Sequence, residues 1–281
     1  MSYLMSVVLG FVQGVAEFLP ISSSGHLSLF QHFFGMEQAD MMFNILLHFA
    51  TLIAVCIYYF RDIRDMVCEF FLWLGDLVRP GKKGGEVPEA RRMVLLIVLG
   101  TLPLFVILPF KDAVEQINNS PALVSCALLL TGTILFLSDR MIKGKKDART
   151  AGVKDVLIVG LAQGLATVPG LSRSGTTITA GLAMGFDRKF AVRYSFLMSL
   201  PAVLGATLLE VVDAISTPGV FDSALLPKYL VGMAVAGVVG YFAIGLVNLL
   251  VKKGRFGRFA YYCWVAGALF LVFSLTGWTL V

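Results

Sequence analysis

Apolar runs dominate this chain, and they come in two kinds. Residues 42–60, 91–110, 119–138, 189–213, 226–250 and 258–279 are unbroken or nearly so. Each is close to the roughly 20 residues an α-helix needs to cross a bilayer, so they predict six spans. Residues 3–36 and 152–186 are also apolar but interrupted, the first by Pro20 and a serine run, the second by Pro169-Gly170. Their arms are too short to span alone. They predict two re-entrant helical hairpins, because broken backbone at membrane depth is tolerated only where protein or a cavity covers it. Between the spans, residues 61–90 are polar and basic, with a Pro-Gly-Lys-Lys-Gly-Gly loop. Their apolar part, Val67 to Val78, predicts a helix lying in the interface. Pro103 and Pro109 predict kinks in the second span.

The two interrupted regions align at a constant offset of 150. Gly10 meets Gly160, Gln13 meets Gln163, Gly14 meets Gly164 and Ser22 meets Ser172; Ser24 meets Ser174, Gly25 meets Gly175 and Gly35 meets Gly185. The chain therefore reads as one membrane domain, residues 1–281, built by duplication. Repeat one covers about 1–140 and repeat two about 150–281. Three spans per half is an odd number, so the repeats are expected in opposite orientation, an inverted-topology repeat. Broken helices at matching positions of two halves point to a binding site near mid-membrane.

Composition agrees with the pattern. The chain is 57% hydrophobic and only 15% charged, whereas a soluble domain carries about a quarter charged residues. Of the 23 Lys and Arg, seven lie in 61–92, six in 140–154, three in 188–193 and four in 252–258. With six spans and two hairpins all of these fall on one side, which the positive-inside rule makes cytoplasmic. Lys111 and Lys228 fall on the other side. The net charge of +5 thus follows topology and does not argue for a nucleic-acid partner. Cys56, Cys68, Cys126 and Cys263 stand singly, without metal-ligand spacing, and read as small core hydrophobes. No basic residue precedes Arg61, so the N-terminus lacks the charged region of a cleaved signal peptide and is expected to be retained.

The chemistry lies in the broken stretches. Arg173 sits among apolar residues at a depth where its charge costs about 2.5–3.5 kcal/mol or more, which requires a cavity or a charged partner. Arg suits bidentate phosphate binding. Ser172, Ser174 and Thr177 surround it with hydroxyls, and backbone N–H groups before a new helix can form an anion nest. Glu17 is its electrostatic counterpart: a partner for Arg173, a ligand for a hard cation, or a general base. Gln13, four residues earlier on the same helix face, can orient a metal or water. Ser22, Ser23 and Ser24 offer a nucleophile or donors to phosphate oxygens. His26, following them, can act as base, acid or nucleophile. His32 and His48 lack such context and read as structural; Asn44 and Glu210 stay unassigned. The small residues from Gly232 to Gly240 permit close helix packing, and such faces would also serve a homodimer.

Gln13-x-x-x-Glu17 followed by Phe18-Leu19-Pro20-Ile21-Ser22-Ser23-Ser24-Gly25-His26, with Pro169-Gly170-x-Ser172-Arg173-Ser174-x-x-Thr177, resembles the undecaprenyl-diphosphate phosphatase (BacA) family along essentially the whole chain. The resemblance implies a multi-pass enzyme of the bacterial cytoplasmic (inner) membrane. Such an enzyme hydrolyses undecaprenyl diphosphate to undecaprenyl phosphate, the lipid carrier for cell-wall polymers, and confers bacitracin resistance. It further implies a divalent cation, Mg²⁺ or Ca²⁺, and a site facing the periplasm or outside. On this chain Glu17, Ser23, His26 and Arg173 take the catalytic positions, with Glu17 at the metal. Ser172, Ser174, Thr177, Ser22, Ser24 and Gln13 surround the phosphate. Many members carry Glu where this chain has Gln13, so the metal would rest on Glu17, substrate oxygens and water. Inverted repeats with broken helices also occur in secondary transporters, so a carrier of polyprenyl phosphate or another anion is the rival expectation. A transporter needs an anion site but no nucleophile–base pair. A structural scaffold would need neither intramembrane Arg nor Glu.

Overall fold

The computed structural model describes residues 2–33, 41–78, 87–141, 143–216 and 223–277. Among these every regular element is helical. The first broken region forms α1 (Tyr3–Phe18) and α2 (Ser23–Phe33). Ser2 caps α1 by accepting from the Met5 N–H at 3.2 Å, and Pro20, with no N–H to donate, follows its end. At 16 and 11 residues, α1 and α2 reach only about 24 and 16 Å, short of a ~30 Å hydrocarbon core. Next come α3 (Met41–Tyr58) and α4 (Phe60–Val78), with an 83° bend between them. The bend turns α4 across the direction of α3. Phe70, Phe71, Leu72 and Leu74 are exposed on it, while Glu69 and Asp76 bind Arg91 at 3.2 and 2.8 Å. One apolar edge and one ion-paired edge suit the interfacial position expected of it.

The second predicted span is α5 (Glu89–Thr101) and α6 (Leu104–Ile107), broken at Pro103, with a 3₁₀ turn around Pro109. α7 (Lys111–Asn118) follows; its polar sequence carries no span signal, and the sequence pattern did not anticipate it. α8 (Pro121–Ser138) is the third span. The second broken region forms α9 (Val153–Leu165) and α10 (Arg173–Ala183), and the last three spans are α11 (Arg188–Ser216), α12 (Leu226–Lys252) and α13 (Phe259–Thr276). Five helical runs among the described residues are long and apolar enough to cross a membrane, and a sixth if the bent α3–α4 pair counts as one span. The protein is an all-α polytopic membrane protein. Gly35 and the Pro80–Gly85 loop lie outside the described residues.

The halves interlock. α1 packs on α12 of the second half, and α9 packs on α5 of the first. The contacts are backbone to backbone: a Cβ on Gly10 would stand 2.5 Å from the Gly232 carbonyl oxygen, and one on Gly160 would stand 2.1 Å from that of Gly100. Offset partners thus receive equivalent helices. Gly232, Ala236 and Gly240 face Gly10, Gly14 and the Phe18 ring of the same chain, the close helix packing that their spacing predicts.

The four basic segments meet at one end. Arg193 binds Asp62 and Glu89, and Arg92 donates to the carbonyls of Ala148 and Ala151. Arg188 donates to that of Val251, and Asp139 accepts from the Gly257 N–H.

Candidate active site

The end of α1 and the start of α2 carry the first half of the site. Glu17 is in the last turn of α1, and the chain then turns through Leu19–Ser22 into α2. Ser22 has φ +69°, a left-handed conformation that costs a non-glycine residue of order 1–3 kcal/mol and that clusters at functional sites. Its Oγ accepts from the Gly25 N–H at 3.2 Å, just as Ser172 Oγ accepts from the Gly175 N–H at 3.1 Å. The offset of 150 thus survives as a shared cap at the starts of α2 and α10. Thr131 of α8 fastens the second turn, donating to the Gly170 carbonyl at 2.9 Å and accepting from the Ser172 N–H at 3.0 Å. Gly170 has φ +94°, and a Cβ there would stand 2.3 Å from the Val124 oxygen. Only glycine meets both demands.

The two halves join at one carboxylate. Arg173 Nη2 donates to Glu17 Oε1. Ser23 Oγ and Gln13 Nε2 donate to Glu17 Oε2 at 2.7 and 3.1 Å. His48 Nε2 stands 4.0 Å from the same oxygen, while its Nδ1 donates to the Asn44 carbonyl at 3.1 Å. Glu17, Ser23, His48 and Arg173 form the polar end of a cavity of about 790 Å³. Its polar walls include Glu17, Ser22, Ser23, Ser24, His48, Gln163, Ser172 and Arg173. Its apolar walls run along Leu104, Phe105, Ile107, Leu171 and Val203 to Val114 and Val212. A charged head and a long apolar tail would both find complementary surface there.

The remaining expected residues stand behind this surface. Gln13 is fully buried behind Glu17. Ser174 Oγ pairs with Ser172 Oγ at 3.3 Å and with the Leu19 carbonyl at 3.5 Å. Thr177 Oγ1 donates to the Arg173 carbonyl at 2.8 Å and lies 2.6 Å from Ser195 Oγ. Both hydroxyls therefore brace the hairpins and are not among the cavity walls. His26 is also absent from the walls; its Nδ1 meets the Ser22 carbonyl at 2.8 Å and its Nε2 the Tyr262 hydroxyl at 2.7 Å.

Two wall residues were missed in the sequence. His48, read as structural, faces Glu17; an ionisable residue inside a span is itself a signal of function. Gln163 is 2% exposed, and neither amide atom has a hydrogen-bond partner. Such a group costs free energy until a ligand or water satisfies it, and its offset partner Gln13 marked it. Glu210, unassigned in the sequence, lies further out along the cavity.

For a divalent cation the donor set is spare but usable. Among the described residues no three His, Cys, Asp or Glu side chains converge. Glu17 supplies one carboxylate, and it opens onto the cavity where substrate oxygens would stand. Hard cations at phosphate sites are commonly held by one or two carboxylates plus substrate oxygens, so the residues fit.

Fold and site together define a polytopic membrane protein in which two helix breaks converge on an oxyanion site at the head of an apolar cavity. The sequence profile described as "Bacitracin resistance protein BacA" matches residues 6–269. The undecaprenyl-diphosphatase of Halothermothrix orenii is 40% identical over 269 residues, 95% of this chain and 96% of that protein. That of Alkaliphilus metalliredigens is 40% identical over 277 residues, covering 98% and 100%. That of Methanosphaera stadtmanae is 38% identical, covering 97% and 98%. The chain belongs to the BacA family.

Proposed function

We propose that the protein hydrolyses undecaprenyl diphosphate to undecaprenyl phosphate and inorganic phosphate. This recycles the lipid carrier for bacterial cell-wall synthesis and confers bacitracin resistance. The observation that carries the mechanism is the Ser23 hydroxyl bonded at 2.7 Å to the carboxylate that also binds Arg173. A transporter of the same anion would have no use for that nucleophile–base pair.

Arg173 and the first N–H groups of α10 receive the diphosphate, with Arg173 exchanging Glu17 for phosphate oxygens. Released from Arg173, Glu17 takes the Ser23 proton as Oγ attacks the terminal phosphorus. The Ser23 Oγ–P bond forms while the bridging P–O bond breaks, and undecaprenyl phosphate leaves with the bonding pair. Glu17, having passed the Ser23 proton to the departing undecaprenyl phosphate, then takes a proton from the water that attacks the phosphoserine; the Oγ–P bond breaks, and Glu17 returns that proton to Ser23 Oγ as phosphate departs. Catalysis is mainly positioning and charge stabilisation. A bound Mg²⁺ or Ca²⁺ would neutralise phosphate charge, and Glu17, substrate oxygens and water would hold it. Gln163, Ser22, Ser24 and Ser172 offer hydrogen bonds to phosphate oxygens, and the polyprenyl tail follows the apolar walls.

The same proposal extends to placement. The basic end lies in the cytoplasm, the cavity opens toward the periplasm, the membrane is the bacterial inner membrane, and the two halves are an inverted repeat. Homodimers, if they form, use surfaces other than the Gly232–Gly240 face.

The test is phosphate release from undecaprenyl diphosphate by purified protein in detergent, with Mg²⁺, with Ca²⁺ and with a chelator. Release that needs a cation, and that falls by about a hundredfold or more in Arg173→Ala and Glu17→Ala, is the expected result. A folded wild-type protein that releases no phosphate under any condition would overturn the proposal.

A further inference from the structure

His26 is in the position where the family resemblance puts a catalytic histidine, yet its geometry gives it different work. Nδ1 lies 2.8 Å from the Ser22 carbonyl. A carbonyl only accepts, so Nδ1 carries the proton, and Nε2 of the neutral ring is the acceptor. The Tyr262 hydroxyl donates to it at 2.7 Å. Neither nitrogen has a lone pair free for the Ser23 proton, and the ring is not among the cavity walls. Tyr262 also stacks on the imidazole, ring centroids 5.6 Å apart and planes 13° from parallel, which fixes the ring plane. Its neighbour on α13, Cys263, reaches the Pro20 carbonyl at 3.7 Å. α13 thus grips the α1–α2 turn at two points.

What the imidazole holds is the one non-glycine residue with positive φ among the described residues, Ser22 at +69°. The Ser22 carbonyl receives both the ring N–H and the His26 backbone N–H, the latter at 3.1 Å. The next residue is Ser23, whose Oγ reaches Glu17. Any relaxation of Ser22 toward ordinary φ would rotate the peptide that carries Ser23.

We propose that Tyr262 and His26 act as a positioning relay: Tyr262 fixes the imidazole, and the imidazole pins the Ser22 carbonyl so that Ser23 Oγ stays on Glu17. The relay rests on the phosphatase mechanism above, and it assigns His26 no proton transfer and no bond to the substrate. Tyr262 becomes a residue of the reaction although it touches no reacting atom.

Asn places an amide N–H where Nδ1 stands and can keep the bond to Ser22; Gln and Ala cannot. The experiment measures kcat and KM for phosphate release by the full chain in detergent, with gel filtration to verify folding. His26→Asn is expected to keep kcat within about tenfold of wild type, while His26→Gln and His26→Ala lose about a hundredfold or more, all with KM within about threefold. Tyr262→Phe keeps the ring stack but removes the hydroxyl and is expected to lower kcat about three- to tenfold. A base or nucleophile at position 26 predicts instead that His26→Asn falls to the level of His26→Ala. That outcome in variants eluting as wild type overturns the relay, and so does Tyr262→Phe with wild-type kcat. Absence of release by wild type overturns the phosphatase mechanism and the relay together, whereas an active wild type with either contrary pattern overturns the relay alone.

Discussion

Arg173 and Glu17 lie 156 positions apart, and their side chains are 22% and 7% exposed. Replacing such a pair with apolar groups is often neutral or stabilising, whereas removing one partner leaves a buried charge that costs about 3–5 kcal/mol. The pair is therefore expected to serve chemistry more than stability. Arg173→Met alone should lower the thermal midpoint in detergent, and adding Glu17→Met should restore much of it while phosphate release stays absent. A double variant no more stable than Arg173→Met would contradict this. For the reaction itself, Arg173→Ala should reduce kcat/KM by about 10²–10³-fold, the usual loss of a charge-stabilising donor, with Arg173→Lys between it and wild type. These residues were legible in the sequence because a charge inside an apolar run beside Pro-Gly admits few explanations. His48 was not, since its flanks are ordinary span residues and only the packing of α3 turns it toward Glu17. Sequence also named Ser174, Thr177 and His26 without revealing their direction. Hydroxyls one turn apart on α10 face either cavity or packing, and nothing local decides which.

At the level of elements, the hairpins are seated by backbone contact. Valine at Gly160 would press its Cβ to 2.1 Å from the Gly100 carbonyl oxygen, and backbone cannot move aside as a flexible side chain would. Gly160→Val should cost at least the roughly 1–3 kcal/mol of overpacking and lower the thermal midpoint of the detergent-solubilised protein. Gly75→Ala in α4, with nothing within 4 Å of the added carbon, should be neutral or slightly stabilising. The start of α9 gives a pH test. Asp155 accepts from Lys146 Nζ at 2.9 and 2.8 Å and from the Gly152 N–H at 2.9 Å. Burial alone would raise its carboxyl pKa, but the Lys146 ammonium and the Gly152 N–H outweigh that and hold it below the ordinary 3.8. Its ionised form thus contributes stability above that ordinary value, lost as pH falls through the lower folded value. Asp155→Asn should lower stability at neutral pH and leave a smaller decline in acid, as followed by thermal midpoint against pH. Most elements were legible from hydrophobic run length and from Pro and Gly breaks. α7 was not, because an eight-residue polar helix presents no apolar stripe long enough to register.

For the molecule as a whole, access to the site depends on which end of the bundle faces which compartment. Arg188 begins α11 at the basic end, and Val212, about 36 Å further along at 1.5 Å per residue, still lines the cavity. Glu210, two residues before Val212 and at the exposed end of that wall, should therefore reach water on the side opposite the basic segments. Arg149, exposed in the loop before α9, should reach water on their own side. The positive-inside rule makes that side cytoplasmic. In a chain whose four cysteines are first replaced by serine or alanine, Glu210→Cys should react with a membrane-impermeant thiol reagent added to intact cells. Arg149→Cys should react only after permeabilisation. The reverse pattern would place the cavity mouth in the cytoplasm and reverse the topology. Equal labelling of both in intact cells would mean that the two positions are not separated by the membrane, and the inverted repeat inferred from three spans per half would fall with it. If undecaprenyl diphosphate protects Glu210→Cys from the reagent while Arg149→Cys is unaffected, the lipid enters by the apolar wall that leads from Val212 to Arg173.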